Sequence, residues 1–340
     1  MEKITRLAIG NRRYIGCKAK LAEWIMQIID AETSDIYSFC DIFAGTAVVS
    51  DFAIKKYNKV IINDFLYSNN IIYKAFYGNG EVDQQKITDY INAINKIESN
   101  TIEDNYFSHN YGNKFFDYQT AKKIGYIRDA IEKYKCSFSD KEYCILIASL
   151  IYSIDKIANT LGHYEAYIKK EIKPQRLLIK QIDYRSISSV DIYREDANLL
   201  VKKISADIFY IDPPYNSRQY SRFYHLYENL VKWDKPILSG SAMKPAKENM
   251  SEYCSSRAVK AFDDLISNVN AKYIVVSYNN TYFPKSTSSK NKITIEEITK
   301  ILSKRGQTKV FEHSHQYFNA GKTDFDNHKE LLFITKVYEE

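Results

Sequence analysis

Residues 207–215 read DIFYIDPPY, and this run does more than any other to limit what the chain can fold into. Asp207 to Asp212 is a short apolar and aromatic stretch of the kind buried on both faces inside a parallel sheet. Two consecutive prolines then end it. Each fixes its own φ and restricts the residue before it, so the chain leaves the strand through one stiff turn. That turn carries Asp212, Pro213, Pro214 and Tyr215. It sets a carboxylate beside a rigidly aimed backbone carbonyl, a pair suited to accept both N–H bonds of a planar amine, with an aromatic ring at hand for stacking. Taken alone, the same four residues are also an ordinary Pro-Pro turn after a buried strand.

Strand signals recur on either side. IYSFCDIF (36–43) and KVIIND (59–64) are short apolar runs with a helix over roughly 46–57 between them, a β-α-β unit. Ahead of it, residues 18–30 read as a helix with Leu21, Trp24, Ile25 and Ile28 on one face. Beyond residue 67 the character changes to long amphipathic helical segments with charge runs such as Lys169-Lys170-Glu171. The strand pattern returns from about 191, with YIVVSY (273–278), TKVFEHS (308–314) and ELLFITKV (330–337) following the central run. A Gly-, Asn- and Asp-rich stretch at 319–327 suits an antiparallel hairpin between the last two, and 281–292 reads as an exposed loop. The pattern predicts an α/β chain: a mostly parallel sheet with helices on both faces from residues 1–66 and 190–340, and a mainly helical insertion at 67–189.

Bulk properties narrow the function classes. A chain of 340 residues is long enough for such a sheet domain plus an insert. Its formal charge of +6 is compatible with a polyanionic partner but does not demand one. The 29 tyrosines go with abundant Lys, Ile and Asn, as AT-rich coding would give, and are not read as a stacking surface in bulk. Five cysteines are scattered without a CxxC pair or metal-ligand spacing, so free thiols in a reducing cytosol, and no metal, are expected. The basic N-terminus lacks the continuous apolar stretch of a leader, and no segment is apolar for long enough to span a bilayer, so a cytoplasmic protein is expected.

A ligand place is written into the first β-α turn, Asp41-Ile42-Phe43-Ala44-Gly45-Thr46. Glycine lets backbone approach a ligand closely, and the helix that follows offers free N–H groups. Asp64, with Phe65 after it, ends the next strand, where an acidic residue commonly takes a ribose diol. A single glycine in place of GxGxxG fits a nucleoside ligand without phosphates. Each feature alone is common in α/β proteins. Together with the Pro-Pro turn they place candidate groups at the carboxyl ends of strands, where open sheets bind ligands. Upstream, Tyr14, Gly16 and Lys18 lie in a basic turn that either caps the first helix or reaches a ligand carboxylate and base. Asp196, followed by Ala197, is either a surface turn or an acceptor for an adenine amine.

In order, YIGCK (14–18), DIFAGT (41–46), IIND (61–64), REDA (194–197) and DPPY (212–215) resemble the alpha-type adenine-N6 DNA methyltransferases of restriction–modification systems. The stretches ANTLGHYEAYIKK (158–170) and DPPYNSRQYSRFYHLYENLVKWDKP (212–236) look especially like the FokI-type modification enzymes within the Dam-like superfamily. The resemblance implies the class I S-adenosylmethionine-dependent methyltransferase fold, a Rossmann-like seven-stranded mixed sheet with a reversed final strand, and an inserted target-recognition domain. It implies that Tyr14, Gly16, Lys18, Asp41, Phe43, Ala44, Gly45, Thr46, Asp64, Phe65, Asp196 and Ala197 line the pocket of S-adenosyl-L-methionine, with Asp212 touching both cofactor and target. Asp212, Pro213, Pro214 and Tyr215 would hold a flipped-out adenine, whose amine is unreachable inside a duplex. Aspartate as the first residue of that motif favours adenine over cytosine or glutamine. Implied partners are double-stranded DNA and a restriction endonuclease sharing the site, with the chain acting as a monomer. RNA adenine methylation and a non-catalytic DNA-binding module of the same fold are the alternatives.

The loop after the motif supplies DNA-contact candidates Asn216, Arg218, Tyr220, Arg222 and His225, although it also reads as a solvated loop entering a helix with core residues Tyr224, Leu226 and Leu230. In the insert, His163, Tyr164, Lys169 and Lys170 are further candidates. His163 serves equally as a hydrogen-bonded structural histidine, and a lysine pair is often no more than a solvated face.

Overall fold

The computed structural model describes residues 6–280, 290–314 and 329–338 and divides into two compact units. One unit comprises Lys18–Phe65, Asp191–Tyr220 and Asn249–Glu340; the other comprises Met1–Cys17, Leu66–Val190 and Ser221–Glu248.

The first unit is built on β1 (Ser38–Asp41), β2 (Lys59–Asn63), β3 (Val190–Tyr193), β4 (Ile208–Ile211), β5 (Tyr273–Asn279), β6 (Gly306–Ser314) and β7 (Lys329–Val337). They form one sheet in the order β3-β2-β1-β4-β5-β7-β6. β1 pairs in parallel with β2 and β4, and β4 with β5, while β7 runs antiparallel to β5 and β6. The central strands read as unbroken apolar runs because both faces are covered: Phe39, Cys40, Phe209, Ile274 and Val276 are all fully buried. β6 lies at the edge, which accounts for its alternating, largely exposed TKVFEHS pattern and its charged Lys309 and Glu312. The mixed seven-stranded sheet with a reversed last strand is the fold class the motif order implied. The Gly/Asn/Asp-rich stretch 319–327 and most of the loop 281–292 lie outside the described residues.

From β1 the chain steps outward through β2 and β3, then returns to β4 on the other flank of β1. The direction of winding therefore reverses between β1 and β4, the place where open α/β sheets open a crevice beyond their carboxyl ends. The helix expected at 18–30 begins later, at Ala22–Glu32, because residues 18–21 form a turn closed on the Lys18 carbonyl by Leu21 and Ala22. Its core face is Ala22, Ile25, Met26 and Ile29, whereas Trp24 and Ile28, expected on that face, are half-buried.

The second unit is helical: Tyr67–Tyr77, Gln84–Lys96, Tyr106–Tyr111, Tyr118–Lys133, Asp140–Ile157 and His225–Lys232. Asp140–Ile157 is buried on nearly every side, as its all-round apolar sequence requires, and Ser139 and Glu142 close its first turn as a reciprocal capping box. Residues 158–189 continue without helix or strand.

This unit is not the uninterrupted insert 67–189, since 1–17 and 221–248 belong to it. The sequence reading had assigned both segments to the sheet. The reason lies in polar groups as well as in the apolar face of His225–Lys232. Glu228 accepts from the backbone N–H groups of Tyr67 and Ser68 at 3.1 and 2.8 Å, filling donors that the start of Tyr67–Tyr77 leaves open. Tyr227 donates to Asp155 Oδ1 at 2.7 Å, and the backbone N–H of Arg13 donates to Asp155 Oδ2 at 3.0 Å.

Candidate active site

Asp212 follows directly on β4, so the Pro-Pro turn leaves the sheet at the carboxyl end of a central strand. Around it the sheet unit gathers a charged cluster. Lys18 Nζ lies 3.3 Å from Asp212 Oδ1 and 2.6 Å from Glu330 Oε1, with Lys18 and Glu330 only 7% and 4% exposed. The Tyr215 hydroxyl donates to Asp212 Oδ1 and lies 3.2 Å from Glu330 Oε1, while Ser277 Oγ donates to the same Glu330 oxygen at 2.8 Å. The Tyr215 ring is braced edge-on by Tyr278, with centroids 4.6 Å apart, and its carbonyl accepts from Lys292 N at 2.8 Å.

Burial dominates the electrostatics. It pushes the Asp212 carboxyl up to about 6, against the lowering pull of Lys18 and with a further upward push from Glu330. Burial works against the Lys18 ammonium too, but the carboxylates of Asp212 and Glu330 outweigh it and hold Lys18 firmly protonated. The cluster is thus one cation shared by two acids, with Asp212 ionised at neutral pH yet weakly basic.

Beside it, at the end of β1, Asp41 is 1% exposed. Ser50 Oγ donates to its Oδ2 at 2.6 Å, whereas Oδ1 is buried with no hydrogen-bond partner among the described residues. Burial, partly offset by Ser50, lifts this carboxyl to about 7. The turn that follows carries Gly45 at φ 52° and Ala47 at φ 57°, the left-handed region that makes a glycine the natural residue at the first of them. Gly45 N donates to Asp64 Oδ2 at 3.0 Å, so the carboxylate ending β2 also closes the turn ending β1. Asn63, buried beside it, ties three strand ends together: it donates to the carbonyls of Ile42 and Glu195 and accepts from Glu195 N. Asp196 caps the short helix Ala197–Leu200 through Oδ1, accepting from Asn198 N and Leu199 N. Phe43 packs edge-on against Tyr253.

The sheet unit therefore brings together Lys18, Asp212 and Tyr215, and separately Asp41, Gly45 and Asp64, on adjacent strands β1 and β4. Asn216 and Arg218 are half-buried, the side chain of Asn216 accepting from Arg218 N at 3.1 Å; Gln219 is tied to Ser251 by two hydrogen bonds. Tyr220 is half-buried. Glu330, Ser277 and Asn63 were not singled out from sequence. The one visible sign of Glu330 was a carboxylate opening an otherwise apolar strand.

In the helical unit Tyr14 stacks on Tyr224 with centroids 4.4 Å apart, Arg12 lies over the Tyr14 ring, and Gly16 sits at φ 79°. Two DNA-contact candidates need correcting. His225 is fully buried, with Nε2 against the Tyr164 carbonyl at 2.8 Å, and burial holds its imidazole neutral, down at about 3. Tyr164 is 1% exposed and donates to the Tyr227 hydroxyl. Neither is presented on a surface; both are core residues of a unit filled with tyrosines. Arg222 donates to the carbonyls of Pro245 and Ala246, which pins the segment that follows His225–Lys232. The His163 ring stacks on Phe223 with centroids 4.7 Å apart. Lys169 and Lys170 are exposed, and among the described residues neither has an ion-pair partner.

This arrangement, a glycine turn after β1 beside a rigid carboxylate turn after β4, is that of an open α/β protein with a ligand crevice at the carboxyl ends of its strands. Residues 14–301 match the D12 class N6 adenine-specific DNA methyltransferases, and the chain belongs to that family. It is 30% identical to Type II methyltransferase M.NlaIII of Neisseria lactamica over 332 residues, covering 93% of this chain and 95% of the relative. It is 31% identical to Type II methyltransferase M.CviAII of Paramecium bursaria Chlorella virus 1, covering 95% of this chain and 98% of the relative. Identity to Type II methyltransferase M.FokI of Planomicrobium okeanokoites is 32% over 88% of this chain, which spans about half of that protein's length (48%). Among the described residues no helix is long and apolar enough to cross a membrane, and no three His, Cys, Asp or Glu side chains are placed to hold a metal ion.

Proposed function

We propose that this chain methylates N6 of an adenine within a specific sequence of duplex DNA, using S-adenosylmethionine, as the modification partner of a restriction endonuclease. The observation that carries the reading is the pairing of the Asp212 turn on β4 with the Asp41–Gly45 turn on the neighbouring strand β1. A donor-bearing nucleoside fits the second turn, because Asp41 keeps an acceptor oxygen there that has no partner among the described residues, and Gly45 brings backbone close. Asp41, Gly45 and Asp64 are the residues that would hold it. When bound, S-adenosylmethionine supplies a methyl group already activated by its sulfonium charge.

The chain's own groups do the rest. An adenine amine is a poor nucleophile because its lone pair is delocalised into the ring. Asp212 and the Pro213 carbonyl accept its two N–H bonds, which draws the nitrogen toward tetrahedral geometry and frees the pair. The amine turns acidic only as it gains the methyl group, so a weakly basic Asp212 suffices as proton acceptor. Tyr215, fixed by Tyr278, is the ring on which the extruded base stacks. Holding the amine in line with the methyl group supplies much of the acceleration.

Sequencing of modified bases in DNA from cells that express this chain alone tests the reading, together with transfer of labelled methyl to duplex DNA, RNA and protein. Methyladenine at one recurring sequence is expected. Label in RNA alone, or in none of the three, would overturn it.

Within this reading Asp64→Ala weakens cofactor binding by roughly 1.5–3 kcal/mol, the worth of a charge-assisted hydrogen bond, and leaves DNA affinity unchanged. Asp64→Asn keeps an acceptor for Gly45 N and so separates turn closure from the charge. Calorimetry showing wild-type cofactor affinity in Asp64→Ala would remove that residue from the pocket.

Sequence reading is assigned to the helical unit, with the exposed Lys169 and Lys170 as phosphate contacts. Replacing both by Ala should weaken binding to all duplexes alike and flatten the salt dependence by about one unit of slope per lost contact. An unchanged slope in filter binding across salt concentrations would make them a solvated face.

A further inference from the structure

We infer that Glu330 is a positioning residue for the catalytic turn: its carboxylate seats the Lys18 ammonium and so keeps Lys18 from closing on Asp212 in place of the target amine. The inference rests on the reading of Asp212 as the amine's acceptor. Lys18 Nζ also donates to the Tyr215 hydroxyl, but of its two ion pairs the one to Glu330 Oε1, at 2.6 Å, is tighter than the one to Asp212 Oδ1, at 3.3 Å, so its closer counter-charge lies outside the DPPY motif. Glu330 is itself held, by Ser277 Oγ at 2.8 Å and the Tyr215 hydroxyl at 3.2 Å, in a setting where both Ser277 and Glu330 are buried.

To a carboxylate, a lysine ammonium and an amine gaining a methyl group look alike. Each presents N–H bonds on a nitrogen that carries positive charge. Lys18 is therefore a resident competitor for the acceptor the reaction needs, and it is permanently charged. With Glu330 absent, the nearest counter-charge for that buried cation is Asp212, and attraction in a dry site strengthens as the pair closes. Among the described residues every polar contact of Asp212 falls on Oδ1, which leaves Oδ2 to the incoming amine. The reversal of β7 makes this possible. Glu330 pairs with Asn279 near the start of an antiparallel strand, and that start lies at the carboxyl end of β5 and hence of its parallel neighbour β4. A parallel last strand would have delivered the same residue to the opposite edge of the sheet.

The groups that face Asp212 are Lys18 ahead of the first helix, Asp41 on β1, Tyr210 on β4, Tyr215 on its own turn and Glu330 on β7. In Glu330→Gln a negative neighbour that opposes ionisation of Asp212 is lost and the lysine moves in. Both changes favour the charged carboxylate, so the acid limb of the rate profile moves to lower pH even as turnover drops.

The test uses the full chain and a duplex bearing the site mapped by base sequencing. For Glu330→Gln, kcat at pH 8 should fall by roughly tenfold or more, with KM for the duplex unchanged and the acid limb displaced downward. Without cofactor, fluorescence of 2-aminopurine placed at the target should report weaker capture of the base. In a Lys18→Met background, where no competitor is left, Glu330→Gln should cause little further loss. A wild-type chain that methylates nothing would defeat the proposed function itself. An active wild type whose Glu330→Gln variant keeps its turnover and acid limb, or loses as much in the Lys18→Met background, would overturn the role of Glu330 and leave it a part of the fold.

Discussion

Asp212→Ala is expected to abolish methyl transfer while leaving binding of S-adenosylmethionine largely intact. In the proposed mechanism the lost group is one of two acceptors aimed at the amine as it gains positive charge. Removing one such preorganised partner costs a few kcal/mol, on the order of hundreds-fold or more in rate. The wild-type profile adds a second check. In the proposed mechanism Asp212 can take up the amine's proton and offset its growing charge only when ionised, and burial has raised its carboxyl to about 6, so kcat/KM should fall as pH drops through about 6. An unshifted carboxylate would hold activity down to about pH 4. Labelled-methyl transfer and calorimetry on the same preparation separate chemistry from cofactor affinity. Near-wild-type turnover in Asp212→Ala would end the assignment.

The largest expected effect on stability lies in the helical unit, at Arg128. Its guanidinium is fully buried and donates to the carbonyls of Leu230 and Val231 at 2.6 and 3.2 Å, acceptors that the end of His225–Lys232 leaves open. It also meets Glu132 at 2.8 Å and the Tyr143 hydroxyl at 2.9 Å. Arg128→Met fills the volume but strands two buried carbonyls, each at a cost of about 1–3 kcal/mol. The Glu132 pair is half in solvent and adds little. A loss of about 2–6 kcal/mol is expected, the cost of the two stranded carbonyls taken together. The chain has two tryptophans, Trp24 in the sheet unit and Trp233 in the helical unit, so fluorescence of a Trp24→Phe chain in urea follows the helical unit alone. An unmoved midpoint would contradict the prediction.

What was legible in the sequence follows the range of the forces involved. Strands β1, β2, β4, β5 and β7 stood out because burial on both faces writes an unbroken apolar run. The Pro-Pro turn and the Gly45 turn were readable because proline and glycine act on their own backbone. The exchange of segments between the two units was not readable. It depends on Glu228 reaching the first N–H groups of Tyr67–Tyr77 and Arg128 reaching the last carbonyls of His225–Lys232, pairings that no local pattern announces. His225 and Tyr164 misled for a related reason. Polar aromatic residues in motif-like stretches look like contacts until the core that satisfies their polar atoms is seen. Glu330 was hidden by distance, since its partners Ser277, Tyr215 and Lys18 lie on three other segments.

That distance has a consequence for how the protein is assembled. Lys18 and Glu330 are joined across 312 positions, so the charged cluster can close only once all the chain between them has been made. For a flexible chain the entropy of closing a loop grows only with the logarithm of its length. Deleting Leu66–Val190 from the loop would change that cost by only about 0.5 kcal/mol. The sheet is thus almost indifferent to how much polypeptide is threaded between β2 and β3. Nature can lengthen, shorten or exchange the helical segment there with little thermodynamic consequence for the cluster of Lys18, Asp212 and Glu330.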